Sequence, residues 1–283
     1  ILLRPKPLRS LLVQPLAALP MSTDSVADAA RARQAPAEEI PTLVHDKNEV
    51  VLVALLENPA LDESHVHILL QRLDISATVV AAVAQQTKWL ENEALRLALA
   101  VHPHTPPRVA NPIVRQLFVF DLVHVSLAPS AQPETRRIAE EMLIGKIPQI
   151  PIGQKLTLAR RGPSRVAGAI IQEGHVEATT AALGNPFLAE SQILKVLAMS
   201  GTPARVVTAI AEHPKWSCHY NVRLALVRNR HTPLRAIMAF LPNLTAHDLK
   251  DISTLPGIPP NIKVYIQREV ARRTSSGGKI PHR

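Results

Sequence analysis

Residues 54–122 align with residues 181–249 at a constant offset of 127, without a gap, and agree at 26 of 69 positions. Whole phrases recur. Asn58-Pro59 returns as Asn185-Pro186, Lys88-Trp89 as Lys215-Trp216, Arg96-Leu97-Ala98-Leu99 as Arg223-Leu224-Ala225-Leu226, and His104-Thr105-Pro106 as His231-Thr232-Pro233. Self-similarity on this scale marks a tandem duplication and constrains the fold more than any composition figure. The match fades outward at the same offset, giving two copies of roughly 115 residues, about 32–146 and 159–273.

A shorter period of 44 lies inside each copy: Asn58-Pro59 precedes His102-Pro103, and Asn185-Pro186 precedes Asn229-Arg230. Stacked helical repeats of about 40–47 residues have that length. The local pattern is also helical. Leu95, Ala98, Leu99 and His102 follow i, i+3, i+4, i+7 spacing, and Val79, Val80, Val83 and Ala84 form a second stripe that returns as Val206, Val207, Ile210 and Ala211. β-branched residues favour strands, but no strict alternation accompanies them here. The prediction is therefore all-α.

The 25 prolines punctuate this pattern. Thr105, Thr202 and Thr232 each precede a proline, which predicts a hydroxyl capping the first turn of the next helix and a proline at its first position. Residues before proline avoid the α region, so Asn-Pro and His-Pro pairs mark helix ends. About 13–16 helices of 8–13 residues are expected on this reading.

The first copy is expected to occupy residues 21–150 and the second 151–273. Residues 1–20 contain three basic residues and no acid, and have no repeat partner. They read as a disordered extension or non-native upstream sequence, with a targeting presequence as the alternative. Residues 274–283 read as a disordered tail. No apolar run reaches the length of a membrane span. The single Cys218 excludes an internal disulfide, which is compatible with a reducing compartment, and a cytoplasmic location is expected.

Charge divides the chain. The whole sequence carries +9, but residues 21–150 hold 11 cations against 16 anions, whereas residues 151–273 hold 16 against 7. Gln34, Glu38, Val101 and Pro103 of the first copy stand where the second has Arg161, Arg165, Arg228 and Arg230. Either the solvated surfaces have drifted, or the second half meets an acidic partner. If the helix from Val222 runs through Arg230, then Arg223 and Arg230 share a face, and Arg228, Arg235, Arg161 and Arg165 widen the patch.

No Walker loop, GxGxxG, GxSxG or HExxH occurs, so the sequence names no catalytic or metal chemistry. Neither cofactor nor metal is expected. The two Lys-Trp pairs invite base stacking, but a residue recurring at one repeat position more often fills a helix junction. Among the twelve histidines, His104 and His231 recur before Thr-Pro and read as helix-end residues.

AxAExPKW at 209–216 and NVRLALVRNRHTPLRAIMAFLP at 221–242, followed by Asp248-Leu249 and a helix over 260–273, resemble a group of bacterial HEAT-like repeat proteins of unknown function. The Asn-Pro and Thr-Pro phrasing is also similar to the leucine-rich-repeat variant, whose repeats alternate α and 3-10 helices. That family's cluster-binding N-terminal cysteines have no counterpart here. The resemblance implies a right-handed α-solenoid of four to six HEAT-like units in two tandem copies. The expected role is a non-catalytic scaffold for a protein partner, bound through Arg161, Arg165, Arg223, Arg228, Arg230 and Arg235. Nucleic-acid binding stays open as the second reading, with a fold-level likeness to HEAT-type alkylpurine DNA glycosylases.

Overall fold

A computed structural model of the chain describes residues 23–255, 258 and 260–275. The expectations for residues 1–20 fall outside these, as do those for 276–283; Thr274 and Ser275, expected in the disordered tail, instead end the last helix. Among the described residues there is no strand, and the fold is all-α. Two compact units divide between Lys146 and Ile147.

The first unit contains α1 (Thr23–Gln34), α2 (Ile40–Leu43), α3 (Glu49–Leu55), α4 (Glu63–Gln71), α5 (Ala77–Gln85), α6 (Thr87–Leu90), α7 (Glu93–Val101), α8 (Pro107–Val114), α9 (Val119–Leu127) and α10 (Pro133–Lys146). Helices pack in two rows: α1 on α3 and α3 on α5 in one, α4 on α7 and α7 on α9 in the other, with the single-turn α6 passed over. The predicted stripes face this packing, since Val79, Val80, Val83, Ala84, Leu95 and Leu99 are all buried.

The second unit contains α11 (Ile152–Arg161), α12 (Ser164–Glu173), α13 (Val176–Leu183), α14 (Glu190–Ala198), α15 (Ala204–Glu212), α16 (Tyr220–Arg228), α17 (Leu234–Phe240), α18 (Ala246–Thr254) and α19 (Pro260–Ser275). A 3-10 turn at Trp216–Cys218 precedes α16 and another at Leu241–Asn243 follows α17. One row is α11, α13 and α15; the other is α12, α14, α16 and α18. Shifted by 127 residues, the bounds of α4, α5, α7 and α9 coincide with those of α14, α15, α16 and α18.

The described residues hold nineteen α-helices, more than expected, because some are single turns; fifteen have eight residues or more. Pro41 explains the clearest difference between the units. It aligns with Gly168 in the middle of ten-residue α12, and where the proline stands only four-residue α2 forms. A proline in a helix interior removes one hydrogen bond and clashes with the preceding turn.

The threonines correct the capping expectation. Thr105, Thr202 and Thr232 donate their hydroxyls backwards, to the carbonyls of Leu99, Val196 and Leu226, at 2.6, 2.5 and 2.6 Å. They satisfy the open C-terminal end of the preceding helix. The following prolines 106, 203 and 233 themselves stand as the residues just before the next helix, with no side-chain cap.

Four side chains tie distant helix ends together. Asn58 Nδ2 donates to the carbonyls of Ala32 (2.8 Å) and Ala35 (2.9 Å), and Asn185 Nδ2 to those of Ala159 (2.8 Å) and Gly162 (3.0 Å). Asn229 Nδ2 reaches Leu197 O at 3.1 Å, and His102 Nε2 reaches Arg72 O at 2.9 Å. Each of the four also accepts a bond from the backbone N–H two residues on. For His102 the acceptor is Nδ1, so the donor proton resides on Nε2. Leaving such buried groups unpaired costs about 1–3 kcal/mol each, so these ties fix the turns they bridge.

Candidate functional site

The expected basic surface centres on α16. Its Leu-Ala sequence buries Val222, Leu226 and Val227 and leaves the polar positions outward. The helix stops at Arg228. Asn229 is extended, occupied by its bonds to Leu197 and His231, and the Thr232 hydroxyl closes the last turn. Arg230 therefore lies in the turn, and the expectation that Arg223 and Arg230 share one helical face is corrected.

Arg223 is half-buried, and its Nε donates to the carbonyl of Ser217 at 2.5 Å. This arginine secures the 3-10 turn, whereas the Nε of Arg96, at the same repeat position, has no hydrogen-bond partner among the described residues. Arg228, Arg230 and Arg235 are exposed. Arg230 Nε donates to His231 Nε2 at 3.2 Å. Among the described residues no carboxylate pairs directly with these three. Arg161 ends α11, exposed, and Arg165 lies in the first turn of α12, half-buried. Since α12 packs on α14 and α14 on α16, a helix separates this pair from the other four.

An acid lies close to the arginine group. Asp248, in the first turn of α18, accepts bonds from the Thr245 hydroxyl (2.6 Å) and from the Tyr220 hydroxyl. These bonds hold its carboxyl below the usual range, with smaller help from the charges of His247 and Arg228. Glu190 and His219 form a neighbouring pair, Oε2 to Nδ1 at 3.2 Å, and the His219 ring lies 5.4 Å from that of Trp216. These polar links join the starts of α14, α16 and α18. They escaped the sequence reading because each pairs residues 28 or 29 apart.

The chain matches no protein-family model, no curated protein and no solved structure.

The tryptophans occupy the interior. Trp89 is 3% exposed and Trp216 1%, with Lys88 Nζ 4.0 Å and Lys215 Nζ 4.3 Å from their ring centroids. The lysines cover the rings as cation–π partners, and no open face is offered to a nucleobase. His104 bonds Ile75 O through Nδ1 at 2.6 Å. Cys218 is exposed, and its thiol donates to Pro214 O at 3.1 Å. Among the described residues no three His, Cys, Asp or Glu side chains gather to hold a metal ion, and no helix is long and apolar enough to cross a membrane.

Proposed function

We propose that this chain is a non-catalytic helical-repeat scaffold, a right-handed α-solenoid of HEAT-like units in two tandem copies, that binds an acidic protein partner. What supports the solenoid is the packing of each unit's helices in two rows, together with the same Asn tie in each unit at an offset of 127. Stacked repeats of this kind offer extended surfaces assembled from equivalent positions. A cytoplasmic location belongs to the same reading.

The observation that carries the binding surface is the group Arg228, Arg230 and Arg235, exposed around the α16–α17 turn. The first unit has Val101 and Pro103 at the positions of Arg228 and Arg230, so the same scaffold is built there without these two charges, while Arg235 recurs as Arg108. Arg161 and Arg165 belong to a second, separate basic area, and Arg223 acts through the fold.

The test is direct. Arg228→Glu, Arg230→Glu and Arg235→Glu are combined in the full chain, and binding of a fluorescent glutamate-rich peptide is compared with binding of duplex DNA and RNA across a salt series. The proposal expects peptide binding that the triple variant loses with unchanged thermal stability. Preference for nucleic acid, with affinity falling steeply in salt, would replace the protein partner with a phosphate backbone.

A further inference from the structure

The first unit carries an apolar groove, of about 350 Å³, along α4, α7 and α9. Three helical stripes meet in it. On α4 the groove is lined by His67, Leu70 and Gln71, and it continues past the helix to Leu73, which is 65% exposed. On α7 it takes Ala94, Leu97, Ala98 and Val101, one face at i, i+3, i+4, i+7. On α9 it takes His124, flanked on the same stripe by Phe120 (51% exposed) and Leu127.

The second unit serves as an internal control. At repeat-equivalent positions Leu73 becomes Ser200, Ala94 becomes Asn221, Val101 becomes Arg228 and Pro103 becomes Arg230. The exposed Ile68, Phe118, Phe120 and Leu127 become Lys195, Thr245, His247 and Thr254. The scaffold therefore tolerates polar residues at these positions, and stability alone does not demand the apolar ones. Grouped exposed apolar residues of this kind mark an interaction surface.

Charge and extent indicate the occupant. Glu63, the first residue of α4, is bonded to Asn92, which caps α7, so the starts of these helices adjoin. Asp62, Glu63, Glu91 and Glu93 gather there, all exposed; His65 lies 2.8 Å from Asp62 and Arg96 3.9 Å from Glu93, while Glu63 and Glu91 face no basic side chain among the described residues. Apolar surface continues past the groove at Phe120 and Leu127, a length that suits an amphipathic helix better than a compact small molecule.

We infer that the α4–α7–α9 face is a docking groove for an amphipathic segment of a protein partner, with an apolar stripe on the groove and a lysine or arginine at its acidic end. This inference is independent of the basic surface, since no arginine of the second unit takes part.

The probe is a synthetic helical peptide with leucines at i, i+3, i+4 and i+7 and lysines elsewhere, titrated into the full chain by fluorescence anisotropy. The variants are Leu73→Ser and Val101→Arg, which borrow the second unit's residues and so preserve the fold. Binding that weakens about tenfold or more in each variant, and that also weakens when the lysines are replaced by glutamates, is the expected result. No binding, or equal binding of both peptides, overturns it. So does a wild-type dimer that the variants convert to monomers, because the occupant is then a second copy of this chain.

Discussion

The indole Nε1 of Trp216 donates to the carbonyl oxygen of Leu183 at 2.8 Å. In the first unit the corresponding carbonyl, that of Leu56, is taken by Gln86 Nε2 at 3.0 Å, and Trp89 Nε1 is buried with no hydrogen-bond partner among the described residues. One acceptor is satisfied by two different side chains, at neighbouring positions of the same turn. Where the glutamine is absent, His213 stands in its place with an unpartnered Nδ1.

Trp216→Phe should therefore cost more than Trp89→Phe. The former strands a buried carbonyl, at about 1–3 kcal/mol beyond the lost packing, while the latter removes a donor that was already unpaired. Thermal unfolding of the two variants checks this. Equal losses would contradict the assignment.

Asn185 donates to two carbonyls and accepts from Phe187 N at 2.7 Å. Asn185→Ala should cost about 2–4 kcal/mol. Asn185→Asp should be at least as damaging, because a carboxylate cannot donate to Ala159 and Gly162 and brings an uncompensated charge into the interior. Denaturant titration monitored at Trp216 measures both.

His102 is held below its ordinary pKa of 6.5, first by burial, with His104 adding to the effect and the bond to Arg72 opposing it. Its neutral Nδ1 accepts from His104 N, and protonation destroys that acceptor. The unfolded chain then binds the extra proton more readily than the folded one. Stability is complete above pH 6.5 and declines as pH falls through that value toward the lower folded pKa. His102→Asn, which copies Asn229, should keep stability at pH 7 and flatten this decline; His102→Ala should cost about 1–3 kcal/mol at pH 7 and less as pH falls below 6.5. Melting temperatures between pH 5 and 8 separate the two outcomes.

Arg273 closes the end of the second unit, donating to the carbonyls of Leu241, Pro242 and Leu244. Glu269 holds it at 2.8 Å and also bonds Arg272, which brings the Glu269 carboxyl from 4.5 down to about 2. A depressed carboxyl stabilises above its unfolded pKa, so the contribution is whole at neutral pH and disappears as pH falls from 4.5 toward 2. Glu269→Gln should cost about 1 kcal/mol at pH 7, with water screening reducing the full effect. It should also remove part of the acid dependence in a pH-melting series.

Helix type was legible because the apolar stripes are local: Val79, Val80, Val83 and Ala84 turn one face inward, as their spacing required. The bonds that end the helices were less so. Thr105 was visible as a polar residue before proline, but whether its hydroxyl turns forward or back depends on the carbonyl of Leu99, open at the end of α7. The error over Arg223 and Arg230 had its own remedy in the sequence. Asn229 follows Asn185 by 44 residues, and each stands just past a helix end, donating back to an earlier carbonyl and accepting from the N–H two residues on. The groove along α4, α7 and α9 was not legible, since it joins residues from three separated helices. The substitutions between Leu73 and Ser200 and between Val101 and Arg228 were its available trace.

The Asn and His ties each reach back only 23 to 32 residues. Native topology within a unit is then attained by closing short loops in succession, and low contact order of this sort speeds folding. It also sets how the molecule can change in length. A segment that grips only its predecessor can be gained or lost whole during evolution while the remaining links keep their neighbours.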